Sequence, residues 1–310
     1  MMNFFIYLPI AGTSVSIFLL LGLGGAVGFL SGLFGVGGGF LLTPLLLMIG
    51  INPVVAAASD SNQIVAASSS GMYAHWKAGN VDFKMGIILI LGGIIGGTMG
   101  VQVIKILQQM GNADFLIKTC YVIMLGVVGP YMFYESYTKL RPRKKAPPRV
   151  QTREPGWFSK VFTNLPFQMH FEKSGVSMSV IIPFLLGILV GVLAAIMGVG
   201  GGFIMVPIMV YLLRMPMHVV VGTSLFQVLF TCINVTFMQA YTNHSVDLVL
   251  ALLLLAGSTL GAQFGAQVSQ KLKADQLKIL LSIIILITMV KMLSGLLIAP
   301  DLLLMLKGGH

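Results

Sequence analysis

Long uncharged runs alternate with short polar interruptions along this chain, and the spacing of the interruptions predicts its elements. No Asp, Glu, Lys or Arg occurs in residues 1–59, 174–213 or 215–246. Roughly 20 apolar residues carry a helix across a bilayer, so these runs predict membrane-spanning helices. In the first half the breaks fall near Gly37, Asn52, Gly79 and Gly111. The pattern is one long apolar helix ending at a glycine cluster, a short segment, and then three longer helices. The expected fold class is all-α, a polytopic helical membrane protein.

The pattern is written twice. Gly35-Val36-Gly37-Gly38-Gly39-Phe40 recurs as Gly198-Val199-Gly200-Gly201-Gly202-Phe203, an offset of 163, and at that offset Pro44 meets Pro207 and Pro53 meets Pro216. At 164, Gln63 meets Gln227; at 165, Asp82 meets Asp247 and the series Gly92, Gly96, Gly100, Gln102 meets Gly257, Gly261, Gly265, Gln267. Coincidences in register at a fixed period mark a duplication. The expected organisation is a first transmembrane repeat over 1–137, a basic linker over 138–174 and a second repeat over 175–310, with a short hairpin as an option within the linker.

Composition agrees and adds orientation. The chain has 310 residues, 56% of them apolar and 9% charged, against roughly 25% charged in soluble domains; a soluble globular enzyme is excluded. The net charge of +10 does not signal nucleic acid, because nine of the 19 Lys and Arg residues lie between Thr138 and Ser174. Basic clusters beside a span mark the cytoplasmic side. With the linker inside and each half crossing five times, or opening on a re-entrant hairpin, Lys77, Lys84, Arg214, Lys271, Lys273 and Lys278 fall inside and Lys105, Lys118 and Lys307 outside. Four crossings per half reverse that tally, so the positive-inside bias favours inverted halves. The N-terminus lacks the basic region of a cleavable signal peptide and reads as part of the mature chain. Cys120 and Cys232 lie in apolar segments and imply no disulfide framework.

Inverted repeats recur in secondary transporters that bind substrate near the bilayer midplane, where interrupted helices expose backbone groups. The glycines Gly35, Gly37, Gly38 and Gly39, with Gly198, Gly200, Gly201 and Gly202, are the first candidates. At the start of the short segments they leave N–H groups and a positive dipole end facing an anion. Packing alone is the competing explanation, but Pro44 and Pro207 inside the short segments favour a functional break. A second group lies in the third helix. Ser224, Gln227, Thr231 and Asn234 are spaced 0, 3, 7 and 10, one stripe of a 3.6-residue helix. Their counterparts at 164 are Asp60, Gln63, Ala67 and Ser70. An ionisable group at membrane depth is a functional candidate by default, which makes Asp60 the proton-coupling candidate, with capping of the third helix as its alternative. The glycine series from Gly92 and Gly257 has small-xxx-small spacing and is expected to pack helices.

Other chemistry finds little support. His75, His244, Asp82 and Asp247 fall in turns after the third helices, where solvated or capping roles are expected. No His, Cys and carboxylate cluster has metal-ligand spacing, so no metal or cofactor is expected. Gly35-Val-Gly-Gly-Gly39 lacks the Gly-Lys-Ser/Thr ending of a phosphate-binding loop, and Ser224 has no histidine in a later helix to activate it as a nucleophile. Enzymatic activity is therefore not expected.

Both Gly-Val-Gly-Gly-Gly-Phe motifs, Phe40-Leu-Leu-Thr-Pro44 and Phe203-Ile-Met-Val-Pro207, Val221-Gly-Thr-Ser224 and Gly79-Asn-Val-Asp82 together give a chain that resembles the TauE/SafE sulfite exporter family, also called the toluenesulfonate uptake permeases. The likeness spans nearly the whole chain outside the linker. It implies a multi-pass transporter of the bacterial inner membrane, with the linker cytoplasmic, moving small sulfur-containing anions such as sulfite, sulfoacetate or other organosulfonates. The partners implied are that anion and the lipid bilayer, with no nucleic acid and with a homo-oligomer as an allowed assembly. Asp60 departs from the small hydroxyl residues usual at its position in the family. Ionised, it repels an anion in the same cavity; protonated, it does not, and its proton couples to transport. The expected mechanism is rocking of the halves about a midplane site. The competing expectation is a non-transporting assembly protein that docks a partner on its linker.

Overall fold

The computed structural model describes residues 4–34, 39–140, 166–213, 215–269 and 274–297. Most of the expected linker, residues 141–165, lies outside the described residues. The chain is mostly helical. Its first half runs β1 (Phe5–Leu8), β2 (Thr13–Ser16), α1 (Ile17–Phe34), α2 (Gly39–Met48), α3 (Pro53–Lys77), α4 (Phe83–Gln109) and α5 (Ala113–Leu140). The second repeats the order: β3 (Gln168–Phe171), β4 (Val176–Ser179), α6 (Ile181–Met197), α7 (Gly202–Pro207), α8 (Met217–Met238), α9 (Leu248–Ser269) and α10 (Ala274–Leu297). A π-helical turn over Ile208–Leu212 prolongs α7, and another over Gln239–Asn243 prolongs α8. Helix boundaries fall where the glycines and prolines predict, at Phe34, Pro53, Lys77 and Gln109 in the first half.

By length and composition, Phe83–Gln109, Ala113–Tyr131 and Val219–Asn243 are each long and apolar enough to cross a membrane. The apolar stretches of α1, α6 and α9 are shorter. Exposed apolar side chains, among them Phe18, Leu91, Ile123, Leu185, Phe237 and Phe264, face outward as lipid-facing residues do.

The duplication extends to atomic contacts. The first helix of each half lies parallel against the fourth helix of the other, α1 on α9 and α4 on α6, so closely that glycine is required. A Cβ on Gly24 would stand 2.6 Å from the Leu254 carbonyl oxygen, and one on the matching Gly187 2.5 Å from that of Leu89. Gly28 would meet Ser258 O at 2.2 Å and Gly191 would meet Gly93 O at 2.4 Å; Gly96 and Gly261 would meet Ile188 O and Gly25 O, both at 2.0 Å. Lipid tails are as apolar as the helices, so van der Waals contact between small residues supplies much of the association. The remaining pairs, α3 with α8 and α5 with α10, join like to like and run antiparallel: Gly71 faces Leu225 while Gly222 faces His75 and Asn80, and Gly126 faces Met289 while Gly129 faces Ile285.

Each half also opens with a β-hairpin. Phe5 pairs with Ser16 and Gln168 with Ser179, again 163 apart. Gly12 and Gly175 turn the two tips at φ 65° and 64°. Ile17 N–H donates to Phe4 O and Val180 N–H to Phe167 O, fixing each hairpin to the helix that follows.

Overpacking costs about 1–3 kcal/mol per site, so Gly28→Ala and Gly96→Ala are each expected to destabilise the protein by about that much in thermal unfolding in detergent. Gly22→Ala, where a Cβ meets nothing within 4 Å, is the control and gains up to about 1 kcal/mol from helix propensity.

Candidate functional site

The second glycine cluster is a true interruption. α6 ends at Gly198 with φ 74°, and α7 begins after Gly201 with φ 77°, both left-handed conformations that glycine adopts without strain. Gly200 lies between them at φ 70°. A Cβ on Gly198 would lie 2.2 Å from the Ala57 carbonyl of α3, and one on Gly200 would lie 2.7 Å from Cys232 Sγ and 3.1 Å from Ile64. In the first cluster, Gly35, Gly37 and Gly38 lie outside the described residues. Gly39 opens α2, where a Cβ would overlap Ile64 Cδ1 and stand 3.1 Å from Asp60 Oδ1. Ile64 thus touches both breaks.

The two short helices meet face to face. Phe40 and Phe203, the last residues of the repeated motif, stack with ring centroids 4.5 Å apart and planes 11° from parallel. Pro44 and Pro207 have no N–H, so the carbonyls of Phe40 and Phe203, four residues earlier, lose their helical donor. The N–H groups of the first turn, at Gly202 and Phe203, have no intrahelical acceptor.

Asp60 sits two turns inside α3 and is fully buried, which excludes the capping alternative. Thr43 Oγ1 donates to Asp60 Oδ2 at 2.7 Å and Thr43 N–H donates to the same oxygen at 3.2 Å. The pair ties the short helix α2 to α3. Among the described residues Asp60 Oδ1 has no hydrogen-bond partner, nor do Ser59 Oγ or either amide atom of Gln63, all buried. Buried polar atoms are nearly always paired, by protein or by water and ligand, so these atoms mark the polar part of the α3 interior. Tyr121 of α5 and Cys232 of α8 lie within electrostatic reach of Asp60, and Tyr121 OH donates to the Met197 carbonyl at the end of α6.

The stripe on α8 faces elsewhere. Gln227 Nε2 donates to Thr231 Oγ1 at 3.0 Å, and both lie against Gly93 of α4. Asn234 Nδ2 donates to the Ile94 carbonyl at 3.2 Å and to Thr98 Oγ1 at 3.3 Å, also on α4. Ser224 Oγ turns back on the Val221 carbonyl. So Asp60, Gln63, Gly39 and Gly200 gather around Ile64, whereas Gln227, Thr231 and Asn234 line the α8–α4 contact, with Gln227 Oε1 left unpaired. Thr43, Ser59, Tyr121 and Cys232 were not singled out by sequence; Thr43 alone carried a signal, through its place beside the repeated proline. An apolar cavity of about 360 Å³ lined by Phe167, Gln168, Met169, Val180, Ile181 and Phe184 lies at the start of α6 and offers an anion nothing. Among the described residues no group of three His, Cys, Asp or Glu is placed to hold a metal.

The family model described as "Sulfite exporter TauE/SafE" matches residues 20–292. The chain is 27% identical over 283 residues to the "Probable membrane transporter protein YjnA" of Bacillus subtilis, covering 90% of this chain and all of that one. It is 28% identical over 271 residues to a "Probable membrane transporter protein" of Xylella fastidiosa, covering 85% and 89%. A shorter stretch of 98 residues is 34% identical to the "Sulfite exporter TauE/SafE family protein 1" of Arabidopsis thaliana, covering 31% of this chain and 22% of that one. No solved structure matches. The chain belongs to the TauE/SafE sulfite exporter family of membrane transporters.

Removing one partner of a buried hydrogen bond costs about 1–3 kcal/mol. Thr43→Val, which keeps the side-chain shape and deletes the hydroxyl, is therefore expected to cost about that much in thermal unfolding, and the cost should shrink to near zero in an Asp60→Ala background, which has no acceptor left. A cost that persists in that background places the role of Thr43 elsewhere.

Proposed function

We propose that this membrane protein is a secondary transporter of small sulfur-containing anions, sulfite, sulfoacetate and other organosulfonates, working by alternating access around a site between its two glycine breaks. The observation that carries this reading is the cluster of buried, unpartnered polar atoms on Ser59, Asp60 and Gln63, set beside the stacked Phe40 and Phe203. The first-turn N–H groups after each break supply donors for an oxyanion without a formal cation. Gly35, Gly37, Gly38, Gly39, Gly198, Gly200, Gly201 and Gly202 shape that cradle. Gln63 is its nearest polar side chain; Gln227, Thr231, Asn234 and Ser224 belong to the wall that the anion passes. An inverted arrangement of the halves, with the linker on the cytoplasmic side of the inner membrane, is supported by the antiparallel run of α3 against α8 and by the positive-inside tally.

Asp60 is the proton-coupling residue of this scheme. A neutral acid beside the cradle leaves room for an anion, and an ionised one repels it, so proton binding and anion binding favour one another. Reciprocity of linkage then makes a proton gradient drive anion movement.

Purified protein in liposomes is expected to move sulfite or a sulfonate, and an absence of flux for every such anion with folded protein sinks the reading. Gly198→Ala, strained at its φ and crowded against the Ala57 carbonyl, should cut flux by about tenfold or more, in line with catalytic losses from misplacements of about 1 Å. Asp60→Asn should bind the anion but lose the dependence of flux on the proton gradient; an unchanged pH profile removes Asp60 from coupling.

A further inference from the structure

Asp82 and Asp247, which occupy matching turns, perform one function twice. Each uses Oδ1 to cap its own fourth helix, accepting from Met85 N–H at 3.1 Å and from Leu250 N–H at 3.1 Å. Each turns Oδ2 to the hairpin of the opposite half. Asp82 Oδ2 accepts from Ser174 Oγ at 2.6 Å and Ser174 N–H at 3.2 Å. Asp247 Oδ2 accepts from Ile10 N–H at 2.9 Å and Ala11 N–H at 3.3 Å. Ala11 and Ser174 are 163 apart, so the clasps are themselves repeats. Both carboxylates are buried, at 3% and 0% exposure, among neutral donors, and neither forms an ion pair among the described residues. That is a costly way to cap a helix that Ser or Asn would cap as well.

The clasps lie at opposite ends of the bundle. α8 starts beside Asp82, whose N–H donates to Thr223 Oγ1 at 3.0 Å. It then runs its 22 residues, about 33 Å at 1.5 Å each, to the turn that leads into Asp247. The hairpin that each clasp holds is fixed to the first helix of its own half, and that helix lies against the very helix that the aspartate caps. Hairpin β1–β2, α1 and α9 therefore form one body, and hairpin β3–β4, α4 and α6 form a second. No comparable packing joins α1 to α4 or α6 to α9 among the described residues. Between the bodies stand α3, lying along α9, and α8, lying along α4, and the second break sits between them, with Gly200 against Ile64 of α3 and Val228 and Cys232 of α8.

We propose that Asp82 and Asp247 are positioning residues that staple two composite bodies, each built from the first helix of one half and the fourth helix of the other, and that these bodies, not the halves themselves, move against each other during transport. The proposal rests on the transporter reading above. It assigns the staples a purpose: each fixes the outer end of a first helix, through its hairpin, to the helix against which it packs.

Spin labels on exposed positions near one end of the bundle test it, with Cys120 and Cys232 replaced by alanine. Phe18→Cys on α1 paired with Leu252→Cys on α9 reports one body, and Phe18→Cys paired with Ile106→Cys on α4 reports one half. In liposomes with and without sulfite, the body pair is expected to hold a single unchanged distance and the half pair to split or shift. A shifting body pair, or a half pair that never changes, overturns the proposal. Asp247→Asn keeps an oxygen for Leu250 N–H but faces Ile10 and Ala11 with an amide; it should broaden the body-pair distribution and lower flux several-fold with the protein folded. A body-pair distribution as narrow as in the unsubstituted protein denies the staple. Sulfite flux in the unlabelled protein, measured alongside, separates the two levels: distances that split without any anion flux leave the composite bodies standing and remove the substrate assignment.

Discussion

Backbone touching backbone is the contact on which this molecule depends. Helices in lipid gain little by hiding apolar surface from one another, so their association needs close van der Waals approach. Gly24, Gly28, Gly92, Gly96, Gly187, Gly191, Gly257 and Gly261 allow it, each set against a carbonyl or main-chain atom of the facing helix. Because the two pairings, α1 with α9 and α4 with α6, exchange helices between halves, neither half closes by itself. The same pairings fix where α1 and α6 end, and so where the glycine breaks fall within the bundle.

Each break is held by the half opposite to it or by the short helix that follows it. Gly198 lies under the Ala57 carbonyl of α3, and Gly200 between Ile64 of α3 and Cys232 and Val228 of α8. The start of α2 is tied down through Thr43 and Asp60, and its Phe40 ring leans on Phe203 of the second half. Irregular backbone at membrane depth is tolerated where protein or a polar cavity surrounds it. Here protein surrounds the break over residues 198–201 on several sides, and Ser59, Asp60 and Gln63 nearby on α3 carry buried polar atoms that pair with nothing among the described residues.

The duplication was legible because glycine and proline are constrained residues: a repeated Gly-Val-Gly-Gly-Gly-Phe with Pro44 and Pro207 keeps its meaning wherever it stands. The first hairpin was not legible in the same way, and the second only as an option at the end of the linker. Four-residue strands give periodicity too little length, and residues 4–16 read simply as the start of an apolar run. Asp82 and Asp247 could be matched by offset, yet their partners lie 92 and 237 residues away along the chain and belong to the other half. Local reasoning found the caps and missed the clasps. The stripe on α8 shows a related limit. Helical spacing put Gln227 and Thr231 on one face, and they do hydrogen-bond to one another, but spacing carries no information about which helix stands opposite, and that helix is α4.

Symmetry in the backbone contrasts with asymmetry in the chemistry. The glycine contacts of the two halves agree closely, 2.6 against 2.5 Å and 2.0 against 2.0 Å, so the frame is nearly symmetric. Several polar residues around Asp60 do not repeat. Asp60 and Thr43 have Ser224 and Val206 as counterparts, and Tyr121, at the offset of its neighbouring helix, has Leu286. A structure whose frame is nearly indifferent between two states responds to small differential free energies, because a ligand shifts an equilibrium only by its unequal affinity for the two sides. One ionisable group on one side of a nearly symmetric frame, as Asp60 is here, is a source of such inequality.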